Sequence, residues 1–233
     1  TLELPINLHE QQNANHGLLM DHPYEVLEQT ESSVKLGALI HGRLGYPFDV
    51  QTTVTYELVE AGVKISHTAE NLSAKDAPYA LGGHPYFKIS GVDSEDLFLR
   101  SGAETVLVVD ERQIPTGTMP TAHSRFDMRS GVRVGDNFYD HDFTDLPRDD
   151  EGLAHTYLTA PDGRGFDIWQ DSNFKHVVIF TPDFYFANVG EPKRYACAIE
   201  PQTAGPNAFN TEVDLIWLKQ GEKYLATWGI NFK

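Results

Sequence analysis

A chain of 233 residues with 40% hydrophobic composition is long enough for one large domain with a full core, and a single domain over residues 1–233 is the expectation. Its formal charge of -16, with 18 Lys and Arg scattered against 34 Asp and Glu, argues against nucleic acid and anionic membrane surfaces as partners. A single cysteine, Cys197, excludes an intramolecular disulfide framework and fits a reducing, cytoplasmic compartment. No apolar run is long enough to span a bilayer, and the opening TLELPINLHE reads as interior sequence rather than as a signal peptide.

In chain order, the first segment of chemical interest is NANHGLL, which places His16 beside Gly17 in a polar, loop-like stretch. VQTTVTYEL then alternates with period two. Val50, Thr52, Val54, Tyr56 and Leu58 share one face of a half-buried strand. The EAG that follows supplies a turn, with Gly62 free to take positive φ, and VKIS resumes as the second arm of a hairpin.

GGHPYF places His84 after two glycines that permit close backbone approach and before Pro85, which fixes φ. Two readings stand side by side: a His packed on Tyr86 and Phe87 and bonded to backbone, and a positioned proton carrier. ETVLVVD, GFDIWQ, HVVIFTP and ACAIEP are further strands, and the stretches 114–120 and 201–206 read as surface connections. YDHDFTDL, read as a strand, puts Asp140 and Asp142 on one face and His141 on the other, so the three do not converge on one metal ion. The acidic DDEG at 149–152 reads as a solvated turn.

YACAIEP buries Cys197 as a small hydrophobe and ends on Glu200, a carboxylate whose burial is costly unless it is ion-paired or used in chemistry. Near the C-terminus DLIWL, a KQGEK turn and alternating Tyr224, Ala226, Trp228, Ile230 and Phe232 read as a last hairpin. Ten or more strands without substantial helix imply an all-β fold, a large antiparallel β-sandwich. HExxH, CxxC, EF-hand, P-loop, GxGxxG and GxSxG motifs are all missing, so no metal, nucleotide or serine-hydrolase chemistry has support.

Taken together, LPIN…NHGLL, AENLSAKDAPYALGGHPYF, YDHDFTDL, AIEPQTAGPNAFN and LKQGEKYLATWGI occur in an order that resembles the aldose 1-epimerase (galactose mutarotase) family, from about residue 4 to the C-terminus. The resemblance implies a galactose mutarotase-like supersandwich with a sugar cleft across one sheet. It implies a cofactor-independent isomerase of carbohydrate metabolism that acts on a hexose such as glucose or galactose, as a monomer or homodimer. By the same resemblance His84 matches the catalytic acid and Glu200 the catalytic base, while His16 and Asp140 match sugar-binding residues. Asn71 and Tyr86 are weaker matches near the cleft. Family members begin with further strands that bring an Arg to the site, and this chain starts after that segment; a sandwich lacking them would expose a sheet edge.

The chemistry accounts for those residue types. Opening a hemiacetal needs one base for the C1 hydroxyl proton and one acid for the ring oxygen, here Glu200 as carboxylate and His84 as imidazolium, each expected to favour the other's charge. Tyr86, Phe87 and Trp169 are the aromatics available to stack on a sugar, and Arg43, Arg100 and Arg194 have no assigned place. A carbohydrate-binding sandwich without turnover and a glucose-6-phosphate 1-epimerase-like enzyme are the alternatives.

Overall fold

The computed structural model describes residues 2–184 and 194–233. In chain order its strands are β1 (Glu25–Gln29), β2 (Ser33–Ile40), β3 (Val50–Val59), β4 (Gly62–Asn71), β5 (Ala77–Tyr79), β6 (Tyr86–Phe87), β7 (Phe98–Ser101), β8 (Thr105–Val109) and β9 (Pro115–Pro120). They continue as β10 (Val132–Arg133), β11 (Asp140–Thr144), β12 (Ala154–Thr159), β13 (Gly165–Gln170), β14 (His176–Phe180), β15 (Cys197–Gln202), β16 (Ile216–Leu218) and β17 (Lys223–Phe232). Helix among the described residues is confined to α1 (Ala208–Thr211) and two 3-10 turns. The fold of the described residues is nearly all-β, as the alternating pattern requires.

Two large antiparallel sheets face one another. One has nine strands in the order β1-β2-β3-β4-β17-β13-β12-β7-β10, the other six in the order β6-β15-β14-β11-β8-β9, and β16-β5 form a small third sheet. Between the large sheets lies a continuous core. Ile65, Trp228, Ile168, Leu158 and Leu99 come from the nine-stranded sheet, and Cys197, Ile199, Val177, Ile179, Phe143 and Val106 from the six-stranded one. Because side chains alternate along a strand, burying Ile199 and Cys197 in this core sends Glu200 and Ala198 to the opposite face.

The β3–β4 hairpin forms as expected, with Val59 opposite Gly62 and Val50 opposite Asn71. Gly62 is needed for another reason than a left-handed turn: a Cβ there would lie 1.8 Å from the carbonyl oxygen of Ile230. Val50, Thr52 and Val54 are buried, but Tyr56 and Leu58 on the same face are 42% and 61% exposed. Alternation marks the face, whereas the opposing layer decides how much of it is covered.

Three further expectations are corrected. β16, the DLIWL strand, pairs with β5 rather than with β17, which lies between β4 and β13. The stretch 114–120 is not a loop but contains β9, on the edge of the six-stranded sheet, where prolines leave no inner ladder bond unmade. Pro201 lies inside β15 in a buried position rather than starting a surface connection.

Ile179→Ala, in the core, should lower the unfolding free energy by about 2–5 kcal/mol, whereas Leu58→Ser should change it by less than about 0.5 kcal/mol. Urea denaturation of the two variants checks both.

Candidate functional site

The site is built at the edge of the six-stranded sheet. β6 is only two residues long, with Tyr86 opposite Ala198, but its register runs on upstream: Gly82 bridges Gln202. Continuing that pairing puts His84 directly opposite Glu200. The Gly83 amide donates to the Pro201 carbonyl at 3.0 Å, and the Ile199 amide to the Pro85 carbonyl at 3.4 Å. Contact constrains both glycines, Gly83 the more tightly. A Cβ on Gly83 would meet Trp228 Cζ2 at 2.9 Å, and one on Gly82 would meet Gln202 Cγ at 3.1 Å. Thr203 pins the approach to this segment, its hydroxyl accepting from the Leu81 amide at 2.9 Å.

The result is a contact of 3.2 Å between His84 Nε2 and Glu200 Oε1, with the imidazole about one-third exposed (33%) and the carboxylate nearly covered (7%). Tyr86 stacks on His84 with ring centroids 5.1 Å apart, and His16 meets the same ring edge-on at 5.3 Å. His16 and Gly17 both take left-handed backbone, φ 59 and 67, which turns the loop so that the exposed imidazole faces His84. Gln202, on the Glu200 face of β15, donates to Glu200 Oε2 at 3.3 Å.

Across that face the strands stay in register. Ala198 lies opposite Phe180 and Phe180 opposite Asp140; Glu200 lies opposite Val178 and Val178 opposite Asp142. Asp140 and Asp142 therefore share the Glu200 face. His141 points the other way, against Phe126 and within 3.2 Å of Arg125. The alternation read from YDHDF holds.

Electrostatics departs from the sequence expectation. Burial pushes Glu200 up to about 8; Asp140 and Asp142 add to the rise, and the Gln202 hydrogen bond opposes it. His84 is lowered, by burial first and then by His16, against a backbone hydrogen bond that supports its charge. Burial thus outweighs mutual attraction. At neutral pH the pair rests with one proton held by Glu200 and with His84 neutral, not as imidazolium and carboxylate. Burial also raises the Asp140 carboxyl.

The other candidates separate. Asn71 is fully buried, its amide nitrogen donating to Lys75 and Leu218 carbonyls at 2.8 Å and its oxygen accepting from the Ser73 amide at 2.9 Å. It stabilises a chain crossing and has no polar atom left for a ligand. Phe87 belongs to the core, and Trp169 lies on the nine-stranded sheet opposite Gly229. Burial pushes the Cys197 thiol up to about 12, as expected of an inert core cysteine. Arg100 packs over Tyr157, whereas Arg43 lines a surface cleft with Asn15, Gly17 and Asp21 on the His16 side. Among the described residues no three His, Cys, Asp or Glu side chains gather as a metal site. No helix there is long and apolar enough to cross a membrane.

One contributor escaped sequence reasoning: Gln202, legible as the same-face neighbour two residues beyond Glu200.

Residues 1–231 match the family model for aldose 1-epimerase. A protein of Escherichia coli strain K12, YihR, is 29% identical over 95% of this chain and 68% of its own length. A maltose epimerase of Levilactobacillus brevis is 29% identical over 68% of this chain, which spans only 49% of that protein. A galactose mutarotase-like protein of Clostridium acetobutylicum superposes with a TM-score of 0.83 at 20% identity, covering 100% of this chain and 72% of its own; at that identity the likeness speaks for the fold.

A carboxyl held protonated in the fold costs stability once it must ionise. Folded Glu200 keeps its proton to about 8 against an ordinary 4.5, so between those values the folded state binds more protons and stability falls as pH rises. Glu200→Gln should therefore raise Tm by several degrees at pH 8, with the gain fading to nothing at pH 4 and below. Thermal melts across pH check the sign.

Proposed function

This chain belongs to the aldose 1-epimerase family, and we propose that it interconverts the α- and β-anomers of a hexose, glucose or galactose first among them, through His84 and Glu200. The observation that carries the reading is the 3.2 Å contact between the two side chains, held in strand register and open to solvent on the His84 side.

One proton shared by such a pair suffices. Its transfer from Glu200 to His84 across the contact gives the reactive form. Glu200 then takes the C1 hydroxyl proton while His84 protonates the ring oxygen, and the hemiacetal opens to an aldehyde. Opening leaves Glu200 protonated and His84 neutral, the charge state that burial favours. Rotation about C1–C2 presents the other carbonyl face, and reclosure returns both protons by the same route. Asp140 and His16 bind sugar hydroxyls, and Tyr86 holds the His84 ring in place. These steps call for no redox or group-transfer cofactor, and the buried, un-ionised thiol suits a cytoplasmic enzyme.

Arg43, on the His16 side and without an ion pair to any described residue, favours a second reading in which the sugar carries an anion such as a 6-phosphate. Competition by hexose phosphate in the same assay decides between them.

The test is polarimetry of freshly dissolved α-glucose, α-galactose and maltose. His84→Ala and Glu200→Gln should each slow anomer exchange by about 10²- to 10⁴-fold. Exchange unchanged in both variants contradicts the reading, and sugar binding with exchange no faster than buffer points to a binding module.

The rate should follow a bell in pH. On the acid side activity is lost below the ordinary histidine range, where His84 also takes a proton and no base remains; on the alkaline side it is lost near 8, where the pair gives up its last proton. Initial rates between pH 4 and 10 check both limbs.

A further inference from the structure

On the Glu200 face, one strand beyond Val178, lies a second set of charges that the reaction above does not use. His176 Nδ1 is 2.7 Å from Asp142 Oδ1, and its Nε2 is 3.1 Å from Asp214 Oδ2. Both ring nitrogens face carboxylate oxygens, and only the imidazolium donates at both ends. Asp142 and His176 are each more than nine-tenths buried, at 4% and 3% exposure. Lys175 pairs with the far side of Asp214, so the chain of charges runs from the surface inward and ends on Asp142.

The inner end is unusual. Asp142 Oδ2 is buried and has no hydrogen-bond partner. Gly205 lies over it: a Cβ there would come within 3.1 Å of Oδ2 and of His176 Cε1, so any larger residue would press on the ion pair. Burial raises the Asp142 carboxyl and Asp214 adds to the rise, while the hydrogen bond and charge of His176 oppose it, so the Asp142 charge rests on the imidazolium. The strand register places that charge two strand spacings, about 10 Å, from Glu200, with only Val178 between.

We propose that Asp142, ion-paired with His176, is a positioning residue that sets the proton affinity of the His84–Glu200 pair. The inference rests on the mutarotase reading of that pair. Among the described residues the polar groups facing Glu200 are His84 and Tyr86 from the β6 side, His16 from the N-terminal loop, Gln202 on its own strand, His176 on β14, and Asp140 and Asp142 on β11. Asp140, only partly buried, is free to contact sugar. Asp142, sealed beneath Gly205, acts only through its charge.

Asp142→Asn keeps the shape and a hydrogen bond to His176 but removes the charge. The alkaline limb of the rate against pH should then move down by about half to one pH unit, as expected for one charge at this distance in a partly buried setting. A folded Asp142→Asn protein whose limb stays in place overturns the proposal.

A second measurement needs no turnover. In nuclear magnetic resonance titrations of the Glu200 side-chain carboxyl, Asp142→Asn should lower the pH at which Glu200 loses its proton by a similar amount. Identical Glu200 titrations in wild type and Asp142→Asn overturn the coupling. A shifted titration, with a wild-type protein that fails to exchange anomers, upholds the coupling and removes the mutarotase reading instead.

Discussion

The pairing of the segment from Gly82 to Phe87 with β15 is the constraint on which the site depends. Antiparallel register is rigid: once Gly82 meets Gln202 and Tyr86 meets Ala198, His84 has no position other than opposite Glu200. The backbone fixes both partners, and neither must be recruited from a mobile loop. Such a site loses little orientation freedom when sugar binds. Gly83 helps to permit the register, because Trp228 occupies the space a side chain there would need.

The same strand alternation sets the electrostatics. Packing Ile199, Ile179 and Phe143 in the core obliges Glu200, Asp140 and Asp142 onto one face, where the two aspartates add to the raised proton affinity of Glu200. A fold selected for stability alone would place an apolar or amide side chain at 200. Holding a carboxyl there, protonated near neutrality and 3.2 Å from an imidazole, yields a group that gains and loses protons in the range where a hemiacetal must open.

Much of this was legible in the sequence, for identifiable reasons. Strand alternation survives at the residue level, so VQTTVTYEL, HVVIFTP and ACAIEP declared themselves, and YDHDF separated its two aspartates from His141 correctly. Local signals failed where partners are distant. Nothing in DLIWL says that its neighbour is β5, about 140 residues earlier, and a turn beside it suggested the nearer strand. The exposure of Tyr56 and Leu58 depends on where the opposing layer stops. Asn71 carried a motif match, yet its amide is consumed by three backbone groups, a fact only tertiary structure reveals. The charge state of the His84–Glu200 pair was read from attraction alone, because burial of both partners is a property of the assembled sheet.

The central claim is that Glu200, not His84, holds the pair's proton at rest. Infrared difference spectroscopy of wild type against Glu200→Gln tests it directly through the stretching band of a protonated carboxyl. The account predicts that band at pH 6 and 7 and its loss as pH passes about 8. A carboxylate signal for Glu200 throughout that range, with the imidazolium on His84, would contradict it.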